Sequence, residues 1–556
     1  MSRSVTPCSI GIDFGTASCR AVIVEMATGR QLATAVADYP HGVIDRELPD
    51  GGALEADWAL QHPTDYLTAL TAVVIEARRE AGVPADAIKG MGIDFTASTV
   101  LPVDRGHQPL CLNPAFVKRP HAWVKLWKHH AAQSQADRIN ETAIARSERF
   151  LNDYGGRTSP EWLVAKTLQI LEEDPEIYET TEGIVEAADW VVAQLTGKLV
   201  RNACGAGYKG FWSRAHGFPS QAFFEALDPR MRHFVQNKLP GDILAPGQCA
   251  GRLTDESASR LTLSPGTPVA VPIIDAHAAV LGATVVTPGR MVVVLGTSTC
   301  HMLLAEHHAP VEGVAGIVED GIVEGLYGYE AGQAAVGDIF AWFVRFVNPD
   351  HGQDPDTFAQ LESAAAAAQP GGNGLVALDW WNGNRSVLAN TDLSGLIVGL
   401  SLQTTQAEVY RSLMEATGFG TRRVLDAFEL EQIPVTELVA TGGLADRSPL
   451  LLQIYADITQ RPIRLASSGN ASALGASILG ALVAGQQIGG YASLGAAVKN
   501  MAHLETETVA PNPAVERQYD RLYHEYLELH DHFGRDGTAV MSRLRQLRRG
   551  GDVWSA

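Results

Sequence analysis

Two short segments of the chain combine glycine and hydroxyl side chains in a pattern suited to binding phosphate. The first reads IDFGTASCRAVIVE over residues 12–25, and the second reads VVLGTSTCHMLLAE over residues 293–306. In each, an apolar run leads into a Gly-Thr turn and another apolar run leaves it, which predicts a β-hairpin. Glycine lets the backbone approach a ligand closely, so N–H groups and hydroxyls at the tip can surround phosphate oxygens. The candidate phosphate-binding residues are Gly15, Thr16, Gly296 and Thr297.

The two segments differ at one position that matters for charge. Asp13 stands two residues before the glycine in the first segment, where the second has Val294. A carboxylate beside bound phosphate is repelled unless a cation lies between them, so Asp13 is a candidate ligand for Mg²⁺, directly or through water. The alternative is an aspartate that caps a local N–H group in the turn.

A third glycine-rich segment, residues 438–459, reads LVATGGLADRSPLLLQIYADIT. An apolar strand leads into Gly442 and Gly443, and a helix is predicted to begin with Ser448 as its N-cap and Pro449 at its first position. A strand followed by a Gly-Gly turn and a helix forms a nucleotide-binding corner in many folds. The alternative is an ordinary strand-to-helix connection. The chain has no GxxxxGK[ST] loop and no GxGxxG opening a βαβ unit at its N-terminus, which argues against P-loop and dinucleotide-binding folds.

The elements that position these residues are predicted to form two related domains. The Gly-Thr segments lie about half the chain apart, which is too far for a solenoid repeat and indicates a duplicated α/β domain. A length of 556 residues also exceeds what one hydrophobic core supports. The predicted domains are residues 1–288 and 289–490, followed by a helical extension at 491–556. Within the extension, residues 515–533 carry an amphipathic stripe that is predicted to pack on its own domain, with a homodimer contact as the alternative.

Composition narrows the class of partner. The formal net charge of -20 disfavours binding to nucleic acid and to anionic membranes. Residues 1–9 lack the apolar stretch of a signal peptide, and no apolar run reaches the roughly 20 residues that span a bilayer. We therefore expect a cytoplasmic protein whose partners are small molecules.

The two hairpins, the Gly-Gly corner and the duplicated domain together resemble the actin-like ATPase superfamily and, within it, the FGGY carbohydrate kinases, over roughly residues 8–490. This resemblance implies two actin-like (RNase H-like) α/β domains with a central cleft, plus the helical C-terminal extension. It implies that ATP and Mg²⁺ are bound, with the hairpins on the phosphates and with adenosine against Gly442 and Gly443.

Four further motifs match this family and imply a sugar site. Residues 272–283 read PIIDAHAAVLGA and place Asp275 at the position of the family's catalytic aspartate, a general base. Residues 94–99 (DFTAST), 206–209 (AGYK) and 328–338 (GYEAGQAAVGD) imply sugar contacts at Ala97, Lys209 and Glu330, and the resemblance implies that Asp275 contacts the sugar as well. The alternatives are that Asp275 is a helix N-cap, that Lys209 is a surface lysine and that Glu330 is a structural carboxylate. The motifs are most similar to the branch of the family that phosphorylates L-ribulose, which implies L-ribulose 5-phosphate as the product, in L-arabinose catabolism.

One departure from the family pattern concerns His129. Residues 127–130 read WKHH, where the family often has Trp-Lys-Asp-His. We assign no site role to His129 and expect it at the surface or behind the sugar-binding residues. The substitution leaves the range of accepted sugars open.

Three other functions remain open at this stage. The first is a kinase of the same family for another sugar or polyol, such as xylulose or glycerol. The second is an actin-like ATPase that acts as a chaperone or filament, although the chain after residue 490 is too short and too helical for a β-rich peptide-binding domain. The third is a sugar sensor without catalysis, against which the retained Asp13 and Asp275 argue.

Overall fold

The computed structural model describes residues 6–349, 355–372, 374–535 and 537–548, which form a mixed α/β protein. The strands are β1 Cys8–Phe14, β2 Ser18–Glu25, β3 Gln31–Asp38, β4 Leu60–Gln61, β5 Ile88–Phe95, β6 Val100–Val103, β7 Val124–Lys125, β8 Gly183–Glu186, β9 Val200–Asn202, β10 Asp242–Leu244, β11 Cys249–Arg252, β12 Pro268–Ala270, β13 Ile273–Ile274, β14 Arg290–Leu295, β15 Thr299–Ala305, β16 Gly316–Glu319, β17 Tyr327–Gln333, β18 Val376–Leu378, β19 Leu396–Val398, β20 Glu437–Thr441, β21 Ile463–Ala466 and β22 Leu504–Val509.

The helices are α1 Pro63–Ala81, α2 Gln133–Ala145, α3 Leu163–Glu173, α4 Pro175–Thr180, α5 Ala187–Thr196, α6 Ala203–Gly210, α7 Gln221–Leu227, α8 Phe234–Lys238, α9 Asp255–Leu261, α10 Asp275–Gly282, α11 Gly337–Val347, α12 Pro355–Ala367, α13 Gln406–Leu430, α14 Gly443–Arg447, α15 Pro449–Thr459, α16 Ala471–Ala484, α17 Leu494–Met501, α18 Glu516–Gly534 and α19 Val540–Arg548. Of the helices described, none is long and apolar enough to cross a bilayer.

The chain divides into two compact units, of which unit 1 comprises Met1–Val286, Ile317–Gly328 and Asn470–His503. Its main sheet has the order β11-β12-β5-β1-β2-β3, and β13 also pairs with β5. β1 runs antiparallel to β2 and parallel to β5, and β13 runs parallel to β5. β1 lies inside the sheet, so nearly all its side chains are buried.

Unit 2 comprises Thr287–Gly316, Tyr329–Gly469 and Leu504–Ala556. Its sheet contains the strand order β17-β15-β14-β20-β21-β22. β14 runs antiparallel to β15 and parallel to β20, which repeats the arrangement of β1, β2 and β5 in unit 1. The two Gly-Thr segments thus connect equivalent strands, as the predicted duplication requires.

The units are interleaved in sequence, unlike the contiguous domains predicted above. α16 falls within the predicted second domain, yet it belongs to unit 1, where it packs on β1, β5 and α10. The packing is close because glycines face backbone on both sides. A Cβ atom on Gly92 would overlap the carbonyl oxygen of Ala476, and one on Gly475 would overlap the carbonyl oxygen of Ala278.

The predicted extension needs two corrections. It is not purely helical, because β22 pairs antiparallel with β21 at the edge of the unit 2 sheet. It also divides between the units after His503. α18 packs against α13, α15 and β18 of its own unit, as predicted, and buries Tyr519 and Tyr526 together with Tyr523 and His530. Residues 549–556 lie outside the described residues.

Candidate active site

The predicted site residues of unit 1 meet at one edge of its main sheet. β1, β5 and β13 are neighbouring parallel strands, so their carboxyl ends lie side by side. Asp13 is the penultimate residue of β1, Ala97 follows β5 by two residues, and Asp275 follows β13 directly. Crevices outside the carboxyl ends of parallel strands are the usual ligand sites of α/β sheets.

The first predicted hairpin is present, and three side chains from elsewhere in unit 1 hold its tip. The Gly15 N–H donates to the Ser18 carbonyl at 2.9 Å, which closes the turn. Tyr39 donates its hydroxyl to the Gly15 carbonyl at 3.1 Å, and the Gln61 amide donates to the Thr16 carbonyl at 2.8 Å. The indole N–H of Trp127 donates to Thr16 Oγ1 at 3.0 Å. These three contacts support the tip, a contribution that the motif itself does not reveal.

Asp13 has surroundings compatible with a cation. Its carboxylate Oδ2 lies 3.4 Å from Arg20 Nη1, and its side chain keeps 16% of its surface exposed. Burial raises the pKa of Asp13, while the neighbouring Asp94 carboxyl group and the charge of Arg20 oppose that shift. A partly accessible carboxylate with one weak ion pair retains oxygen lone pairs for a hard cation such as Mg²⁺.

Asp94 is a site residue that sequence reasoning did not assign. It is fully buried on β5, in register with Asp13 on β1 and with Ile273 on β13, the residue two before Asp275. Burial raises its pKa well above the ordinary range, and the neighbouring charges of Asp13 and Asp275 raise it further. The raised pKa favours the protonated form of the Asp94 carboxyl group, and neither of its oxygens has a hydrogen-bond partner among the described residues.

We expect Asp94→Asn to change the pH dependence of stability. Because the native state holds the Asp94 proton more tightly than the unfolded state, this group makes the wild-type free energy of unfolding fall as pH rises above the ordinary aspartate pKa of about 4. Asparagine has no such proton, so the stability difference, variant minus wild type, should grow from pH 4 to pH 7. Urea denaturation of both proteins at several pH values measures this difference in the free energy of unfolding. A constant or shrinking difference contradicts a raised pKa of Asp94 in the native state.

Asp275 and Lys209 lie on neighbouring elements. Asp275 is the first residue of α10, half-buried, and its Oδ1 accepts from the Ala276 N–H at 2.6 Å. Lys209 is 7% exposed on α6, which contacts β13, the strand leading into Asp275. The ring of Tyr208 lies 4.1 Å from that of His277. Lys209 is thus a buried lysine, and the alternative of a surface side chain is wrong.

The second predicted hairpin and the Gly-Gly corner lie together in unit 2. The Gly296 N–H donates to the Ser298 carbonyl at 3.0 Å. The start of α11 closes on this tip, because the Asp338 N–H donates to the Thr297 carbonyl at 3.2 Å. β20 runs beside β14, so Gly442 lies next to the strand that enters the hairpin.

Gly442 requires glycine for two reasons. Its φ of +97° is a left-handed conformation, and a Cβ atom would lie 2.5 Å from the carbonyl oxygen of Leu295. Gly443 then opens α14, a short helix that the sequence did not predict. The predicted start of the next helix is confirmed, since Ser448 Oγ accepts from the Leu451 N–H at 3.2 Å and Pro449 is the first residue of α15.

Glu330 lies on β17, two places from β14 in the unit 2 sheet order. It is 8% exposed, and its backbone carbonyl accepts from the Ala315 N–H at 2.6 Å. The strand places Glu330 in the same sheet as the second hairpin.

His129 is buried, not at the surface. Its Nε2 lies 2.9 Å from Gln169 Oε1, and its Nδ1 accepts from the Ala59 N–H at 3.3 Å. Burial lowers its pKa well below the ordinary range, helped by the charges of Lys125 and Lys166. A neutral histidine with both ring nitrogens engaged is structural, which agrees with giving it no site role.

A group of histidine and aspartate side chains, close in sequence to the tip-binding Tyr39 and Gln61, also comes close enough to hold a metal ion. It consists of His41, His62 and Asp65. The two imidazole rings stack at 4.4 Å with an angle of 14° between their planes, so their lone pairs do not converge on one point. Asp65 Oδ1 already pairs with His41 Nδ1 at 2.8 Å, and His62 Nδ1 accepts from the Thr64 N–H at the start of α1. The group is better explained as a cap of this helix.

The comparison with known proteins agrees with these features. Residues 8–282 match the N-terminal domain of the FGGY family of carbohydrate kinases, and residues 291–484 match its C-terminal domain. The chain belongs to the FGGY family of carbohydrate kinases. It is 52% identical to a ribulokinase of Shouchella clausii, over 98% of this chain and 99% of that protein. It is 53% identical to a ribulokinase of Anoxybacillus flavithermus, over 96% of each.

Solved structures support the fold independently. A xylulose kinase from Rhodospirillum rubrum superposes with a TM-score of 0.79 at 23% identity, covering 94% of this chain and 98% of that one. A gluconate kinase from Lactobacillus acidophilus gives the same TM-score at 18% identity, covering 95% and 99%. At such identities the likeness concerns the fold alone, and it confirms the predicted two-domain α/β fold.

Proposed function

We propose that this protein transfers the γ-phosphoryl group of ATP to L-ribulose and forms L-ribulose 5-phosphate. The observation that carries the proposal is the sheet edge of unit 1, where Asp13, Ala97 and Asp275 follow three adjacent parallel strands. Relatives named ribulokinase, at about half identity over nearly the whole chain, support the choice of sugar.

The phosphate groups of ATP would bind at the two hairpin tips. Backbone N–H groups and hydroxyls at Gly15-Thr16 and Gly296-Thr297 suit phosphate oxygens. Adenosine would pack against Gly442 and Gly443, where the absence of side chains leaves the backbone accessible.

Asp13 would hold Mg²⁺, which when bound offsets charge on the phosphates. Its partial exposure and its long ion pair with Arg20 fit that role. Arg20 also keeps the carboxylate oriented, because it contacts Oδ2 from the adjacent strand β2.

The sugar would be oriented by Lys209 and Glu330, with the small side chain of Ala97 leaving it room. Asp275 would accept the proton of the attacking hydroxyl as general base. Phosphoryl transfer depends mainly on alignment and charge neutralisation, so these buried, hydrogen-bonding side chains would act chiefly by positioning.

The substrate assignment is tested by ADP release from MgATP with a panel of acceptors. L-ribulose, D-ribulose, D-xylulose, ribitol and glycerol are compared by kcat/KM. We expect the highest value for L-ribulose. A higher value for another acceptor overturns the choice of sugar, and no acceptor-dependent release from folded protein favours a sensor.

Lys209→Met should weaken sugar binding much more than nucleotide binding. A hydrogen bond from a charged group contributes about 1.5–3 kcal/mol, which corresponds to a rise in KM for L-ribulose of roughly 10- to 150-fold. Steady-state kinetics with each substrate varied in turn measure the effect. Lys198→Met, at an exposed position after α5, is the matched control and should leave both KM values unchanged. An equal rise in the KM for ATP would contradict a sugar-orienting role.

A further inference from the structure

The loop that follows β5 carries Ala97, and a buried lysine fixes its backbone. We call residues 96–99 the sugar loop. Lys166, on α3, has no exposed surface, and its Nζ donates to the carbonyl of Ser98 at 2.7 Å and to the carbonyl of Leu126 at 2.8 Å. Two distant backbone segments of unit 1 are thereby joined through the amino group of one lysine.

The sugar loop has a backbone conformation that needs such support. Ser98 has a φ of +47°, a left-handed conformation that is unfavourable for a residue other than glycine. The hydroxyls of Thr96 and Thr99 bond each other across the loop at 2.9 Å. The contact with Lys166 therefore holds the loop in a shape that it would not adopt by itself.

The second segment joined by Lys166 leads to the first phosphate hairpin. Trp127 directly follows Leu126, and its indole N–H donates to Thr16 Oγ1 at 3.0 Å. A hydroxyl that accepts this bond still has its own proton, which it can donate to a phosphate oxygen. The sugar loop also contacts the hairpin directly, since the Thr96 N–H donates to the Phe14 carbonyl at 3.1 Å.

We propose that Lys166 and Trp127 are positioning residues that connect the sugar loop to Thr16, so that sugar bound at the loop raises the affinity of the hairpin for ATP. The inference rests on the proposed function and deepens it. Sugar bound against the loop would favour the conformation in which Lys166 holds Leu126 and Trp127 holds the Thr16 hydroxyl, so less conformational freedom would be lost when phosphate binds. By linkage, ATP must tighten sugar binding by the same factor.

The test is calorimetric titration with the magnesium complex of a non-hydrolysable ATP analogue, with and without saturating L-ribulose. For wild type we expect sugar to tighten analogue binding by roughly fivefold or more, the lower end of usual coupling between sites. Trp127→Phe keeps an aromatic ring but lacks the N–H donor, and it should bring the ratio of the two dissociation constants close to one. L-ribulose binding without nucleotide should change little.

Trp123→Phe is the matched control. Its indole N–H donates to the Val117 carbonyl at 2.9 Å, so the variant loses a bond of the same kind outside the connection. It should retain the wild-type ratio. Lys166→Met is a second variant that should also lose the coupling; if it does not fold, Trp127→Phe carries the test alone.

The outcomes separate this inference from the proposed function. A wild-type ratio in Trp127→Phe, or no coupling in wild type, overturns the connection even if L-ribulose is phosphorylated. Failure of wild type to bind or phosphorylate L-ribulose overturns the proposed function itself.

Discussion

Asp275→Asn should lower kcat with L-ribulose by about 10²- to 10⁴-fold, the usual contribution of a general base. Asparagine has the same shape and keeps an oxygen that can accept from the Ala276 N–H, so the start of α10 should remain intact. The amide cannot accept the substrate proton, and both KM values should change little. Steady-state kinetics measure the effect, and circular dichroism checks the fold.

Asp255→Asn is the matched control for Asp275. Asp255 is also the first residue of a short helix, α9, but it is exposed and away from the sheet edge. Its variant should stay within about twofold of wild type, as surface substitutions usually do. If Asp275→Asn retained most of its kcat, the carboxylate would only cap α10 and the base would have to be sought elsewhere.

Gly92→Ala should destabilise unit 1 by about 3 kcal/mol or more. Gly92 lies on β5, where α16 comes so close that a Cβ atom would overlap the carbonyl oxygen of Ala476. Backbone cannot yield as a flexible side chain does, so the helix must move away from the sheet, and overpacking of this kind is costly. Thermal unfolding and urea denaturation of the variant and wild type measure the loss in the free energy of unfolding.

The matched control is Gly495→Ala, in α17 of the same unit. Apart from its chain neighbours and its own helix backbone, no atom of the described residues lies within 4 Å of the Cβ that alanine would add there. Alanine is favoured over glycine in helices, so this variant should be as stable as wild type or slightly more stable. Equal stability of Gly92→Ala and wild type would mean that α16 does not pack on β5 as described.

The hairpins and the Gly-Gly corner could be predicted because their signals are local. Apolar runs on either side of Gly15 and Gly296 are enough to predict strands and turns. The Gly-Gly pair after an apolar run marks Gly442 as a turn residue. The reason that glycine is required there, the close approach of the Leu295 carbonyl, appears only in the structure. Ser448 and Pro449 predict a helix start because capping involves only neighbouring residues.

The placement of α16 could not be predicted, because its sequence, ASALGASILGALVA, has no polar face to indicate which side is buried. Its packing partners on β1 and β5 are far away in sequence. Small residues on both sides allow the contact, but nothing local specifies it. Strand β22 was not predicted either, because it forms by pairing with β21, and nothing within its own sequence specifies that partner.

Asp94, Lys166 and Trp127 were missed for a different reason. Charged residues are usually exposed, so burial of Asp94 and Lys166 is a tertiary property that composition does not indicate. The sequence did hold one signal for Asp94. It stands near the end of a predicted strand and begins the DFTAST motif, just as Asp13 stands near the end of the first strand. Parallel pairing of those two strands would have placed the carboxylates side by side.

The proposed function is tested most directly by identifying the product that wild-type protein forms from MgATP and L-ribulose, by phosphorus NMR and mass spectrometry. We expect one sugar phosphate for each ADP, with the phosphoryl group on the terminal O5 of L-ribulose. ADP accompanied by inorganic phosphate, with no phosphorylated sugar, would contradict it.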